Sequence, residues 1–217
     1  PIFVNQKHLA DGHAQAIICN SGIANTCNAD GIEKAEAMGR LVEDALGINK
    51  DDVIVGSTGV IGMPLNLTPI ANGMAELVAG LDYDNSGLAA EGIMTTDTKK
   101  KEVAVSFDID GVECRIGGIA KGSGMIHPNM ATMLVFVTSD VAITSEMLQR
   151  AVSDDVKTSF NMISVDGDTS TNDTFAVLAN GMAGNKLIDS EGEAYEKFCE
   201  ALHKVSVYLS RKIAGDG

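Results

Sequence analysis

The chain has 217 residues, enough for one substantial core or two small ones, and its 45% apolar content excludes a disordered polymer. A formal net charge of −14, from 16 basic and 30 acidic residues, repels phosphate backbones and argues against nucleic-acid binding. No apolar run approaches the ~18 residues that a membrane span needs, and no basic n-region or signal peptide is expected. Tryptophan is absent and aromatics are scarce, so the core is expected to be aliphatic. Cys19, Cys27, Cys114 and Cys199 show no CxxC spacing and read as free thiols in a reducing compartment, hence a cytoplasmic protein.

In chain order, residues 14–20 form a short apolar run that reads as a buried strand, followed by a polar loop. Residues 32–47 space Ile32, Ala35, Met38, Leu41, Val42, Ala45 and Leu46 as on a helix that stops at Gly47. Residues 53–62 read as a strand entering a glycine turn, and 67–81 as a helix with Thr68 as cap and Pro69 in its first turn. Residues 102–120 alternate on either side of Asp110-Gly111, a hairpin signal. A strand over 132–143, a helix over 144–160 capped by Thr144 or Ser145, and two strands around a polar turn over 162–181 follow. A long amphipathic helix over 190–214 opens with Ser190 and Glu193 at capping-box spacing. Strands and helices mix without strict alternation, which predicts a layered α/β or α+β sandwich.

Several motifs reduce to plain structure. The run GGIAKGSG lacks the phosphate-cradling pattern because glycine follows Lys121. DGDTSTND, residues 166–173, starts like a calcium loop but lacks the glycine and glutamate such a loop requires, so it reads as a turn. No histidine pair has metal-ligand spacing, and His127 reads as a loop residue.

Two stretches carry more. STGVIG, residues 57–62, puts a hydroxyl and successive N–H groups at a strand end, the ingredients of an oxyanion hole, although a turn alone would explain it. KGSGMIHPNMATMLVF, residues 121–136, runs from a glycine loop into an apolar strand at Thr132. If the bond before Thr132 were cut, its α-amine, with a pKa of roughly 8, could take the proton of its own hydroxyl and create a nucleophile without histidine. From pattern alone, a plain strand threonine is the stronger reading.

These two stretches, together with MTTDT at 94–98 and DGDTSTNDT at 166–174, closely resemble the bifunctional ornithine acetyltransferase / glutamate N-acetyltransferase family of the cyclic arginine pathway. The resemblance covers essentially the whole chain. It implies an α-β-β-α-type sandwich similar to the N-terminal nucleophile hydrolases. It implies self-cleavage between Ala131 and Thr132, with Thr132 then carrying the acetyl group. Its oxyanion pair falls on Thr58 and Gly59. Its substrate-binding threonine falls on Thr95, with Thr96 next to it, and its substrate-binding lysine on Lys121, on a loop expected to bend over the nucleophile.

The reaction so implied is ping-pong acetyl transfer from N-acetylornithine to glutamate, with no metal and no bound cofactor. Some family members also take acetyl-CoA, so it stays open as a co-substrate. Residues 1–217 are expected to be one catalytic sandwich cut from a longer precursor, because family members extend beyond both ends and carry further substrate ligands past the C-terminal one. The expected partners are the substrates and the other cleavage fragment, in a hetero-oligomer of two cleaved chains. A self-cleaving aminopeptidase or amidase, and an inactive fragment or paralogue, are the alternatives.

Overall fold

A computed structural model describes residues 1–124, 133–166 and 170–216. The chain opens with helix α1 (Ile2–His8), then strand β1 (Ala16–Ile23), helix α2 (Gly31–Leu46) and strand β2 (Val53–Val60). β1 and β2 pair in parallel, from Ala16↔Val53 to Ile23↔Val60, with α2 as the crossover that parallel pairing needs. Helices α3 (Thr68–Ala79) and α4 (Ser86–Gly92) follow. β3 (Lys101–Ile109) and β4 (Val112–Lys121) form the hairpin, turning at Asp110 and Gly111 with φ of 53° and 84°. Two consecutive positive φ values suit a tight turn whose twist matches the strands, and Asp-Gly adopts them readily. β5 (Leu134–Ser139), α5 (Ser145–Thr158), β6 (Thr174–Ala179) and α6 (Glu193–Ala214) complete the order.

The second sheet runs β3-β4-β5-β6, with β4 antiparallel to β3 and β5, and β6 parallel to β5. α5 and α6 cover one face, where Val135, Val137, Ile116, Phe198, Leu202, Val205 and Leu209 share a core. α1, α2 and α3 cover the outer face of the first sheet, where Val4, Met38, Val42, Val53, Val55 and Met74 pack. Period-two alternation assigns the other faces. Gly56 points at Leu134 and Phe136 across the gap, so the two sheets face each other and the layers are α-β-β-α. The expected sandwich is the observed one. No helix among the described residues is long and apolar enough to cross a membrane, and the four cysteines are free thiols.

Three local expectations need correction. Among the described residues of 162–181 only β6 is a strand, and residues 160–162 form a 3-10 turn. β5 already has β4 and β6 on its two edges, and the segment instead sinks Phe160 into the core. Ser190 does not cap α6: the chain enters that helix at Gly192, and the Ser190 hydroxyl donates to Asp189 Oδ1 at 3.1 Å. Thr68 does not cap α3 either, since its own N–H is held by Asn66 Oδ1 at 3.0 Å. Thr144 does cap α5, accepting from Met147 N–H at 3.3 Å.

Phe198 is fully buried between α6 and the second sheet. Truncation to alanine leaves a cavity that the facing strands cannot fill, so Phe198→Ala should lower unfolding free energy by about 3–5 kcal/mol, read from chemical denaturation.

Candidate functional site

Thr58 and Gly59 lie near the C-terminal end of β2, paired with Ser21 and Gly22 of β1. Alternation puts Thr58 on the same face as Gly56, toward the second sheet. Its hydroxyl is fully buried and finds no hydrogen-bond partner among the described residues. Its neighbour Ser57 is fully engaged: it donates to Asn20 Oδ1 and accepts from Asn25 N–H at 3.2 Å. Gly59 has φ 127°, and a Cβ there would come 2.1 Å from the Gly22 carbonyl carbon. Only glycine allows β1 and β2 to stay paired at this point.

Lys121 is the last residue of β4 and 1% exposed, so it belongs to the sheet and not to a loop. It faces away from α6, because Ala120 and Ile116 occupy the α6 side. Its Nζ donates to Thr95 Oγ1 at 2.9 Å, so two residues singled out in separate motifs meet directly. Thr96 Oγ1 lies 2.7 Å from Ser123 Oγ, fastening the same loop to the chain just after β4.

Beneath this pair sits a charge cluster that sequence reading missed. Asp97 Oδ1 accepts from Gly122 N–H and Lys101 Nζ, both at 2.7 Å. Asp97 Oδ2 accepts from Thr95 N–H at 3.2 Å and lies 3.8 Å from Lys121 Nζ. Lys101 also donates to Asp216 Oδ2 at 2.5 Å and to the Lys99 carbonyl at 3.2 Å. Burial alone would raise the Asp97 pKa, but the Gly122 N–H, Lys101 and the Thr95 N–H together hold it below its ordinary value. Burial lowers the pKa of Lys121; Asp97 opposes that and Lys101 reinforces it. The TTDT motif contained Asp97, but nothing in it announced partners at positions 122 and 101.

Ala131, Thr132 and His127 lie outside the described residues. Met133, which follows Thr132 in the chain, donates its N–H to Asp173 Oδ1 at 2.8 Å. Asp173 comes from the DGDTSTNDT motif, whose Asn172 Nδ2 reaches the Asn25 carbonyl at 3.5 Å. That motif therefore bridges the start of β5 to the loop that Ser57 holds. Asp173 Oδ2 is buried and has no hydrogen-bond partner among the described residues. Burial pushes the Asp173 pKa up to about 7, against the Met133 N–H and the Ser170 hydroxyl. His8, Glu36 and Asp51 bring three ligand-type atoms within 4.8 Å of one another. They lie at the opposite end of β2 from Thr58, and Lys50 already pairs with both carboxylates.

A folded-state pKa above the unfolded one means that Asp173 binds its proton more tightly when folded, so it weakens the fold as pH rises from 3.8 to about 7. Asp173→Asn removes that dependence. Its stabilising effect should grow across this window and level off above it, measured as thermal midpoints of both chains at several pH values.

A model of the ArgJ family matches residues 1–217. "Arginine biosynthesis bifunctional protein ArgJ 1" of Clostridium acetobutylicum is 47% identical across the whole chain, which covers 53% of that relative. The proteins named "Arginine biosynthesis bifunctional protein ArgJ" from Symbiobacterium thermophilum and Streptococcus mutans are 46% and 48% identical, and the chain covers 54% of each. The chain thus spans about half the length of the curated relatives it matches. A crystal structure of the Bacillus halodurans arginine biosynthesis bifunctional protein argJ aligns with a TM-score of 0.55 and 38% identity, over 62% of this chain and 70% of that one. With the match running from the first residue to the last, the chain belongs to the ArgJ family.

Proposed function

We propose that this chain forms part of a self-cleaving acetyltransferase of arginine biosynthesis, which transfers an acetyl group from N-acetylornithine to glutamate. In maturation, Thr132 Oγ attacks the Ala131 carbonyl, the C–N bond breaks, and water hydrolyses the resulting ester. In turnover, the α-amine of Thr132 takes the hydroxyl proton while Oγ attacks the acetyl carbonyl. Ornithine leaves with that proton, and the glutamate amine then takes the acetyl group from Oγ. Thr58 Oγ1 and Gly59 N–H are the donors for the developing oxyanion, and Lys121 with Thr95 receives a substrate carboxylate. The two fragments stay together as a hetero-oligomer in the cytoplasm, acetyl-CoA being a second donor to test.

The observation that carries this reading is the Thr58 hydroxyl, buried between the sheets with no partner among the described residues. A buried hydroxyl left unsatisfied costs stability, and a donor reserved for charge that appears only during reaction accounts for its retention. Mass spectrometry of the full-length protein should show one fragment ending at Ala131 and another beginning at Thr132, and acetylglutamate should form from N-acetylornithine only when glutamate is present. Thr132→Ala should abolish cleavage and transfer together, whereas Thr58→Ala should cut turnover by about 10²–10³. Hydrolysis without glutamate-dependent product would favour an amidase instead.

Lys121→Ala should weaken substrate binding by roughly 1.5–3 kcal/mol through loss of a charge-assisted hydrogen bond. Steady-state kinetics on cleaved protein would show this as a raised KM. Unchanged KM and turnover would return Lys121 to a structural role.

A further inference from the structure

The acetyltransferase reading uses Lys121 and Thr95 but leaves unexplained why their geometry is fixed. The carboxylate of Asp97 reaches both segments that carry them. One oxygen holds the N–H of Gly122, the residue after Lys121, at 2.7 Å. The other holds the N–H of Thr95 itself at 3.2 Å and lies 3.8 Å from the Lys121 ammonium. Asp97 is thus joined to the backbone on both sides of the Lys121–Thr95 bond. Its side chain is fully buried, so solvent cannot substitute for any of these contacts.

The surrounding charges have a division of labour. Lys101 is paired on two sides, by Asp97 at 2.7 Å and Asp216 at 2.5 Å. Lys121 has no carboxylate at hydrogen-bond distance among the described residues; its bonded partner is a neutral hydroxyl. Asp97 therefore spends its direct ion pair on Lys101 and acts on Lys121 from one step away. That leaves the Lys121 ammonium oriented but still able to accept an incoming carboxylate.

We propose that Asp97 is the positioning residue of the substrate-carboxylate subsite, setting the separation and orientation of Lys121 and Thr95 without itself touching substrate. This rests on the assignment of Lys121 to substrate binding. A second reading of the same contacts is purely structural: Asp97 would be only the counter-ion of a buried lysine. Asp216 separates the two readings. It shares Lys101 with Asp97 and also binds Thr98, but contacts neither Thr95, Gly122 nor Lys121 among the contacts described.

The test is steady-state kinetics and thermal unfolding of full-length, cleaved protein with N-acetylornithine as the varied substrate. Asp97→Asn still leaves Lys101 its pair with Asp216, and should raise KM at least tenfold while kcat falls less. Asp216→Asn breaks the other half of the Lys101 pairing and should lower the thermal midpoint with KM within about twofold of wild type. Should Asp97→Asn fail to fold, Asp97→Glu keeps the charge beside Lys101 but cannot hold both backbone N–H groups at their present spacing, and should show the same rise in KM. A wild-type KM in the Asp97 variant that folds, or equal KM shifts in the Asp97 and Asp216 variants, overturns the proposal. The outcome is distinguishable from failure of the underlying assignment, because in that case Lys121→Ala would also leave KM unchanged.

Discussion

The two sheets approach each other most tightly at a position of the first one that has no side chain, Gly56. A Cβ on Gly56 would stand 3.0 Å from Cys19 Cβ and 3.2 Å from Phe136 Cζ, tighter than nearly all real contacts. That close approach brings the face of β2 that carries Thr58 toward the face of β5. Lys121 at the end of β4, Met133 before β5 and Asp173 before β6 all belong to one end of the second sheet, as the register Lys121↔Leu134↔Thr174 requires.

Electrostatically this end is costly to build. Lys101 and Lys121 are each 1% exposed. Taking an ammonium out of water costs several kcal/mol, which a pairing of good geometry and extra hydrogen bonds can offset. Lys101 has that pairing. Lys121 and Asp173 do not, and in both the burial shifts the pKa toward the neutral form. Groups left partly unsatisfied beside well-paired ones are a pattern expected where stability is yielded to chemistry, and poorly explained by packing alone.

Much of the fold was legible because its signals are local. Helical spacing in α2 and α6, alternation in β3 and β4, and the Asp110-Gly111 turn each lie within a few residues. Thr58, Gly59, Thr95 and Lys121 could be singled out only through the combination of motifs, and the contact between Lys121 and Thr95 could not be read from either motif alone. The rest depends on long-range pairing that no window contains: Lys101 meets Asp216 across 115 residues, and Met133 meets Asp173 across 40. Lys121 was misplaced on a loop because the glycines after it suggested one, whereas pairing with Leu134 extends β4 to include it. Ser190 and Glu193 had the spacing of a cap, but the chain enters the helix at Gly192, so Glu193 is its first residue and Ser190 lies outside it.

The order of strands has a mechanical corollary. β4 and β5 are adjacent and antiparallel, bonded from Ile116↔Ser139 to Lys121↔Leu134, and α6 lies across β3 and β4 from the far end of the chain. A break at 131/132 would leave α1 to β4 on one polypeptide and β5 to α6 on the other. Among the described residues, the seam between the two pieces would then run through a sheet interior and a helix-covered core. Separating them would mean unfolding both, so the nicked molecule would behave as one cooperative unit held by the bonds of its central strands.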